Sequence, residues 1–521
     1  MMSRSHRLGP ALAALALAGA CGNSTHDLRD AGSRADAPGS DAASTSDVGP
    51  RGDSGPRSDS GLDAFASSDG GTSATAPCDP ASIAPSTVSG YVSEVVTWLD
   101  SRCRPRTAAL VQNDVRDPSG HYGGLVRRFT YDVAGTTRTA ESDNSDHPGF
   151  GEVTTHFGST ATISSSRAGT FQTLLAGPHH VLHEYRWRYA IDGHDVSVVV
   201  QWFFATGRDH PVYAITYDLT GTPDRTVNAD SRAPYGDVQW DGGGHTPVSG
   251  VGWGDRYRFA SLDAPISMAS GWTYEQANRV PYVVEWTNAP DAEMGLVQTQ
   301  TWQQHAAGGY WFYSAWGTRN AAGPMPEDWN WTYQLNQYEI PFSGGNVSKR
   351  VAWGMNYGAV GNSAYNVYGD DGTASGWPFQ SYSTFVVLGT HAVSAVSSQV
   401  SGVEALVDAR ITATTGSVVT RGPGGVGRTD DVARDVAGYD PRYGVFELRA
   451  AANAVALTLT PAASVHWPIF EIHDWTGASP SSVTVDGATA GAAITLDAAT
   501  HTLWVTVATD VAAPVDIAIH Q

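Results

Sequence analysis

The densest group of side chains that could do chemistry lies between His179 and Tyr257. His180 and His183 carry imidazoles, whose pKa near neutrality suits general acid or base catalysis. A hydrogen-bonded structural role for these histidines is the competing interpretation. The predicted catalytic residues are His180, His183, Arg232, Tyr235 and Asp237, and the predicted substrate-binding residues are Arg186, Arg188, Trp240, Trp253, Asp255 and Tyr257.

Two reactions fit these residue types. In β-elimination from a uronic acid, Arg232 would neutralise the sugar carboxylate while Tyr235 or a histidine takes and returns protons. In hydrolysis, two carboxylates would flank the glycosidic bond, about 5–5.5 Å apart for retention or about 6.5–9.5 Å apart for inversion. The sequence does not pair the available carboxylates, which are Asp218, Asp230, Asp237, Asp255, Glu184 and Glu285. A salt-bridged structural turn at this segment is the alternative to either reaction.

No metal site is predicted in this group. His179 and His183 are four residues apart, as zinc ligands on a helix are, but the flanking residues alternate as in a strand. No HExxH pattern or third ligand accompanies them. Asp370 and Asp371 lie among glycines and could hold calcium, although the spacing of a twelve-residue calcium loop is missing and a plain turn is the alternative. No other cofactor is predicted.

Aromatic residues form the third indication of function. The chain has 17 Trp and 21 Tyr, many of which belong to the core because these side chains bury large areas. Several tryptophans stand beside Gly, Asn and Gln, an environment that suits the faces and hydroxyls of sugar rings. These are Trp253, Trp272, Trp302, Trp311, Trp316, Trp329, Trp331 and Trp353. As a group they predict a cleft for a glycan.

The elements that position these residues are predicted to be strands. Two-residue alternation recurs between turn signals, as in His183–Tyr189, Val196–Phe204 and Val212–Tyr217, whereas sustained helical periodicity is scarce. The strands suit large antiparallel sheets with one face in water. Pro234 and Gly236 predict a rigid loop at Asn228–Asp237.

The fold class is therefore predicted as all-β, with a large antiparallel β-sandwich and a smaller C-terminal β-sandwich. Near His391 to Ser401 the composition turns to Ala, Val and Thr, with few aromatics. This change divides residues 78–393 from residues 394–521. Short predicted strands in the second part include Val483–Gly487, Leu503–Val507 and Val515–Ile519.

One short N-terminal helix is predicted beside a cysteine pair. Tyr91, Val92, Val95, Val96 and Leu99 have helical spacing. Of the three cysteines, Cys21 lies at the end of an N-terminal apolar run. Cys78 and Cys103 remain as a pair, for which an oxidising compartment predicts a disulfide. Two free thiols are the alternative.

The N-terminus has the pattern of a secretory signal. Arg4, His6 and Arg7 precede a short apolar run that ends in Ala18-Gly19-Ala20-Cys21. This arrangement resembles the lipobox of bacterial lipoproteins, in which the cysteine is acylated, although Leu17 lies one position earlier than usual. The resemblance implies a signal peptide at 1–20, lipid on Cys21 and an extracytoplasmic location, with Gly22 favouring the outer membrane. An ordinary cleaved signal is the alternative.

Residues 21–77 are predicted to be a disordered tether. They are rich in Asp, Ser, Gly and Ala and contain one aromatic residue, so they bury too little apolar surface to fold. Their nine Asp and four Arg account for −5 of the net charge of −21. The acidic balance excludes nucleic acid as a partner and limits membrane contact to the lipid anchor.

The large predicted sandwich resembles the supersandwich of galactose-mutarotase-like and polysaccharide-lyase domains, and the C-terminal one resembles accessory sandwiches of secreted carbohydrate-active enzymes. Both resemblances lie in the pattern of strands and aromatics. They imply a surface-tethered protein that binds an extracellular polysaccharide and cleaves it, as lyase or hydrolase. A non-catalytic glycan-binding or adhesin lipoprotein is the alternative, and a structural surface protein without a ligand is the third.

Overall fold

The structure is a computed structural model, and the part of the chain it describes begins at residue 76. The described residues are 76–118, 120–141, 149–157, 160–191, 194–218, 220, 229–241, 250–254, 260–262, 280, 282–288, 291–300, 333–335, 351–356, 379–429 and 431–521. The predicted sites at Cys21, Asp255, Tyr257, Asp370 and Asp371 lie outside them. Among the described residues, no helix has the length and apolar character needed to cross a membrane.

Nineteen strands are described before residue 390. In chain order they are β1 Ser82–Val88, β2 Tyr91–Leu99, β3 Pro105–Val111, β4 Leu125–Val133, β5 Thr136–Glu141, β6 Phe150–Phe157, β7 Thr160–Ile163, β8 Thr170–Ala176, β9 His180–Ile191, β10 His194–Ala205, β11 Val212–Asp218, β12 Ala229–Trp240, β13 Gly250–Gly254, β14 Ala260–Leu262, β15 Tyr282–Asn288, β16 Asp291–Gln298, β17 Tyr333–Leu335, β18 Val351–Asn356 and β19 Phe379–Gly389. Short 3₁₀ turns occupy Ser164–Ser166 and His391–Val393.

These strands form two sheets. One has ten strands in the order β1-β2-β3-β4-β5-β12-β18-β17, with β6 beside β12 and β4, and β7 beside β6. The other has nine strands in the order β14-β13-β15-β16-β19-β11-β10-β9-β8. Pairing is antiparallel throughout both sheets, for example Val200 opposite Tyr185 and Ile215. The predicted large antiparallel sandwich is thus confirmed.

Alternate residues of the central strands bury the core between the two sheets. On β10, Trp202 and Phe204 point to the ten-stranded sheet, where their rings lie 6.0 Å from Phe129 and 5.0 Å from Trp98. Their neighbour Phe203 points to the opposite face. A period of two residues places the side chains of one strand on both faces, as the alternating sequence predicted.

The predicted N-terminal helix is wrong, because Tyr91–Leu99 is strand β2 and pairs with β1 and β3. Tyr91 and Ser93 are buried on one face of this strand, and Val96 and Trp98 are buried on the other. The spacing of the apolar residues alone also fits a helix, but β-branched valines favour the pleated sheet.

The predicted disulfide between Cys78 and Cys103 is present, with the two Cα atoms 5.2 Å apart. It connects the segment before β1 to the turn between β2 and β3. In that turn the buried carboxylate of Asp100 accepts hydrogen bonds from the backbone N–H groups of Arg102 and Arg104 at 2.9 Å each.

The C-terminal part begins with the one α-helix of the described residues and continues as strands. They are α1 Ala395–Asp408, β20 Arg410–Thr415, β21 Ser417–Val418, β22 Arg421–Pro423, β23 Asp431–Ala433, β24 Tyr439–Asp440, β25 Val445–Arg449, β26 Ala454–Thr460, β27 Ile469–His473, β28 Ser482–Val485, β29 Ala488–Thr489, β30 Ala492–Asp497, β31 Thr502–Val507 and β32 Val515–His520. A five-stranded sheet (β20-β26-β32-β28-β29) and a six-stranded sheet (β21-β25-β27-β31-β30, with β24 beside β25) form the predicted smaller sandwich. β22 and β23 pair separately.

The C-terminal sandwich packs on the outer face of the nine-stranded sheet. The ring of Trp504 on β31 lies 5.0 Å from that of Phe203 on β10, and His180 on β9 contacts Thr506. One hydrophobic cluster accordingly contains Phe203 and Phe385 together with Val403 of α1 and Trp504. The division predicted near His391 to Ser401 stays a prediction, and the residues on its two sides share this core.

Candidate functional site

The predicted histidine segment is strand β9, and its histidines are buried. His183 points between the two large sheets, where its ring stacks on Phe171 at 5.3 Å and its Nδ1 lies 3.2 Å from the hydroxyl of Thr173. Burial lowers the pKa of His183 to about 4, so the imidazole is neutral at neutral pH. The structure thus corrects its predicted place: His183 lies in the core and not in a substrate cleft.

His180 points to the opposite face of the same strand and is also enclosed. Its two ring nitrogens lie 3.1 Å from the hydroxyl of Thr495 and 3.0 Å from that of Thr506. Burial, with the charges of His179 and Arg208, lowers the pKa of His180 well below its ordinary value. The predicted catalytic position is corrected here too, because His180 joins the nine-stranded sheet to the C-terminal sandwich.

The two arginines of β9 remain accessible. Arg186 is half-exposed and pairs with the buried Glu184, which also accepts hydrogen bonds from Gln172 at 2.8 Å and Gln201 at 2.6 Å. Arg188 is exposed and pairs with Asp195 through Nε at 2.9 and 3.0 Å. Their predicted substrate contacts stay predictions.

Arg232, Tyr235 and Asp237 lie in strand β12 and not in the predicted loop. β12 lies between β18 and β6, and its pairing shifts between Arg232 and Tyr235. This bulge accommodates Pro234, which has no backbone N–H and would be excluded from an unbroken ladder of hydrogen bonds. Trp253 lies in β13. Trp240 is fully buried and donates from Nε1 to the Tyr131 hydroxyl at 2.7 Å, so it is a core residue and not a sugar platform.

The accessible candidate site is a groove made of two adjoining cavities of about 600 and 250 Å³, both lined by Asp209, His210 and Ser398. Volumes of this size suit a small ligand or a few sugar rings. We call this feature the groove. Its lining comprises Ser101, Arg102, Arg104, Arg106, Asp132, Ala134, Gly135, Gly207, Arg208, Asp209, His210, Asp291, Phe385, Leu388, Gly389, Thr390, Ala392, Val393, Ala395, Ser398, Gln399, Gly402, Leu406, His466, Trp467 and Ile469.

The arginines at one end of the groove are held by the disulfide-linked turn. Arg104 binds Asp100 at 2.8 Å and Asp132 at 2.5 Å, and the buried Arg106 donates to the Leu388 carbonyl at 2.7 Å. The Arg102 side chain is exposed and has no ion-pair partner within the described part of the chain. Arg102 is thus a guanidinium available to a ligand.

The loop after β10 supplies a fixed anion and a hydrogen-bond donor. Burial favours the neutral form of Asp209, but His210, Arg106 and a 2.9 Å hydrogen bond from the Ser101 N–H hold its pKa at about 2. Burial lowers the pKa of His210 to about 3, and its Nδ1 accepts a 3.1 Å hydrogen bond from the Leu388 N–H. The neutral ring therefore carries its proton on Nε2 and can donate it to a ligand.

Trp467 lines the other end of the groove. It is partly exposed, it stacks on His466 at 5.5 Å, and His466 binds Asp510 at 2.5 Å. Gly207 packs against the indole, since a Cβ there would lie 2.2 Å from Trp467 Cε3. The groove thus joins an indole to charged and hydrogen-bonding groups, which is the combination that sugar rings need.

The titratable groups that line the groove favour binding over proton transfer. The pKa of Asp209 and that of His210 are both displaced far from neutrality, so neither group exchanges protons readily near pH 7. Arg208 keeps its charge although burial lowers its pKa to about 10. Arg208, Asp209 and His210 would therefore bind and orient a ligand.

A separate group of possible metal ligands lies in the C-terminal sandwich. Within the described part of the chain, Glu447, Glu471 and His473 are the one set with donor atoms within 4.8 Å of one another. Arg442 Nη2 lies 3.9 Å from Glu447 and 4.0 Å from Glu471. A guanidinium therefore already supplies the positive charge there, and no metal is assigned.

Comparison with known proteins gives distant likenesses. No protein-family model and no curated protein matches this chain. An aldose epimerase homologue from C. elegans aligns with a TM-score of 0.33 and 8% identity over 57% of this chain and 99% of that one. An α-N-acetylgalactosaminidase from Bifidobacterium bifidum, in complex with GalNAc, gives 0.31 and 8% over 57% of this chain and 36% of that one.

The groove was not predicted from the sequence. Asp209, His210 and Trp467 follow strand ends that are far apart in sequence, so no local spacing joins them. One available signal was the set Arg102, Arg104 and Arg106 around Cys103, since a disulfide fixes the side chains beside it.

Proposed function

We propose that this protein binds an extracellular polysaccharide in the groove. The observation that carries the proposal is that the exposed guanidinium of Arg102 lines one cavity, Trp467 lines the adjoining one, and the fixed polar pair Asp209 and His210 lines both. An indole face can stack on a sugar ring, while the charged and hydrogen-bonding groups select its hydroxyls or carboxylate. Lipid on Cys21 and a tether at 22–77 would hold this groove outside the cytoplasm.

Cleavage of the polysaccharide is the second candidate. The pairing shift in β12 favours it, because bulges commonly re-aim side chains beside active sites, and this one lies between Arg232 and Tyr235. In a lyase reaction, Arg232 would neutralise the uronate carboxylate and Tyr235 would take and return the proton. In a hydrolase reaction, Asp237 would supply one of the two carboxylates.

The test measures retention of the protein on immobilised neutral and uronic-acid polysaccharides. Arg102→Ala should weaken retention about tenfold or more, because a charge-assisted hydrogen bond is lost. Arg449→Ala is the matched control, since Arg449 is an exposed arginine that does not line the groove. Equal retention of the wild type and Arg102→Ala, or loss in Arg449→Ala alone, would contradict the groove as binding site.

The same polysaccharides separate binding from cleavage. Unsaturated uronide absorbance together with new reducing ends indicates a lyase, and Arg232→Ala or Tyr235→Phe should abolish both. New reducing ends alone indicate a hydrolase and direct attention to the carboxylates. Retention without either signal supports a binding protein and ends the proposal of cleavage.

A further inference from the structure

A buried charge cluster lies where the C-terminal sandwich meets the nine-stranded sheet. It consists of Arg434, Asp440, Arg442, Glu447, Glu471 and His473, and we call it the interlayer cluster. Arg442 binds Asp440 at 2.7 Å, Arg434 binds Asp440 at 3.0 Å and also Glu447, and His473 Nε2 lies 2.7 Å from Glu447.

The interlayer cluster is connected to the nine-stranded sheet through the residue after Arg442. The Tyr443 hydroxyl donates to Gln201 Oε1 on β10, and Gln201 Nε2 donates to Glu184 on β9 at 2.6 Å. The Tyr443 ring also packs on Phe203 at 5.3 Å. Any movement of the segment that carries Asp440 and Arg442 therefore acts on the contact between the two sandwiches.

The charges of the six named groups of the interlayer cluster balance when these groups hold one proton. Two guanidinium groups face the carboxylates of Asp440, Glu447 and Glu471, so full ionisation with a neutral His473 leaves one negative charge in excess. Glu184 and the Tyr443 hydroxyl face the cluster from its sheet side and add no positive charge. A buried unbalanced charge is costly.

Glu471 and His473 are the positions for that proton. Glu471 Oε2 is buried and accepts no hydrogen bond, which suits a protonated carboxyl group better than a carboxylate. His473 Nε2 lies 3.8 Å from Glu471 Oε1 and is the more exposed of the two side chains. Both groups lie on β27, which begins at Ile469 beside the groove.

We propose that the interlayer cluster is a proton-operated clamp, in which one proton shared by Glu471 and His473 fastens the C-terminal sandwich to the nine-stranded sheet. Loss of the proton leaves like charges on Glu447, Asp440 and Glu471, and their repulsion loosens the contact through Tyr443 and Gln201.

The titration directions agree with this geometry. Burial, with the charges of Glu447 and Asp440, raises the pKa of Glu471 to about 7 despite His473 and Arg442. Burial opposes the charged form of His473, but its hydrogen bond to Glu447 and the charge of Glu471 raise its pKa. For both groups, a folded pKa above the unfolded value stabilises the fold at low pH, and this stabilisation is lost as pH rises through the folded pKa.

The test compares melting temperatures of the full chain and Glu471→Gln from about pH 5 to about pH 9. The glutamine cannot ionise, so the variant should gain stability relative to the wild type as pH rises, by about 5 °C above pH 7. Asp474→Asn is the matched control, because Asp474 is an exposed carboxylate next to His473 and pairs with Arg449. Its curve should stay parallel to that of the wild type.

Parallel curves for Glu471→Gln and the wild type would overturn the clamp. If Glu471→Gln fails to fold, hydrogen exchange of the wild type tests the clamp instead. Raising the pH from about 6 to about 9 should lower protection, corrected for intrinsic rates, at 438–449 and in β27 but not in β4 or β5. Uniform loss of protection, or none, would equally refute the clamp. Zn²⁺ provides a further test. If it raises the melting temperature of the wild type but not that of Glu471→Gln, a metal ion and not a proton occupies this site, and the clamp is refuted as well.

Discussion

Trp467 is the residue on which the proposed groove depends most, and a glycine fixes its position. Gly207 has a φ of +87°, and the indole occupies the space that a side chain at Gly207 would need. Trp467 itself has a φ of +35°, a backbone conformation that a bulky residue rarely adopts. The indole is therefore placed by the loop after β10 as much as by its own segment.

Gly207→Ala should displace the indole and weaken polysaccharide retention. We expect the variant to lose about 2–4 kcal/mol of unfolding free energy, from a left-handed alanine and from overpacking against Trp467. Gly487→Ala is the control. Gly487 has a φ of +77°, and no atom lies within 4 Å of the position that an alanine methyl group would take. We therefore expect this variant to lose only the backbone contribution of about 1 kcal/mol of unfolding free energy. Urea unfolding of both variants measures the difference, and equal losses would contradict the packing role.

At the scale of elements, the alternating strands were predictable and the faces they bury were less so. His183–Tyr189, Val196–Phe204 and Val212–Tyr217 lie within β9, β10 and β11. The sequence predicted one wet face for these sheets, whereas the C-terminal sandwich covers part of the outer face of the nine-stranded sheet and encloses His180. Burial by a distant segment leaves no local pattern, so the histidines could not be distinguished from accessible ones.

One helix was predicted where a strand forms, and the helix α1 was not predicted. Apolar spacing in Tyr91–Leu99 fits a helix and a strand, and pairing with β1 and β3 decides for the strand. Ala395–Asp408 contains four Val, three Ser and one Gly among its 14 residues, so its helical propensity is low and no helix was predicted there. Its buried Val396, Val403 and Val407 nevertheless have helical spacing, and packing against the nine-stranded sheet stabilises α1.

The disulfide turn is the element whose contribution is most directly measurable. Cys78 and Cys103 enclose a loop with a sequence separation of 25. Closing a loop of this length restricts the unfolded chain, so reduction should lower the unfolding free energy by about 3 kcal/mol. Urea titrations under oxidising and reducing conditions, with Cys78→Ser/Cys103→Ser as the reference, measure this loss. An unchanged midpoint on reduction would contradict the expectation.

For the whole molecule, buried histidines predict sensitivity to acid. Burial lowers the pKa of His183 to about 4 and that of His210 to about 3, below the ordinary value near 6.5. Their neutral forms therefore stabilise the fold above pH 6.5, and this stabilisation is lost as pH falls through the folded pKa values. The buried histidines lower the free energy of unfolding in acid, and the interlayer cluster lowers it as pH rises through the pKa of Glu471. We therefore expect the free energy of unfolding to be greatest between these two pH ranges.

His183→Phe should reduce the acid sensitivity by up to about 3 kcal/mol, because phenylalanine keeps the stack on Phe171 and does not titrate. Unfolding free energies at about pH 7 and about pH 4 measure the effect. His520→Gln, at an exposed histidine of β32, is the control. Identical slopes in all three proteins would contradict the role of His183.

The position of the disulfide also has a mechanical consequence. A pulling force applied to the chain ahead of Cys78 reaches β1 first in the peptide sequence, and an edge strand can be peeled from its sheet one hydrogen bond at a time. The covalent link passes the load from Cys78 directly to Cys103, just before β3. β1 and β2 lie inside the closed loop and carry no tension, so the sandwich would resist being unfolded strand by strand from its N-terminal end.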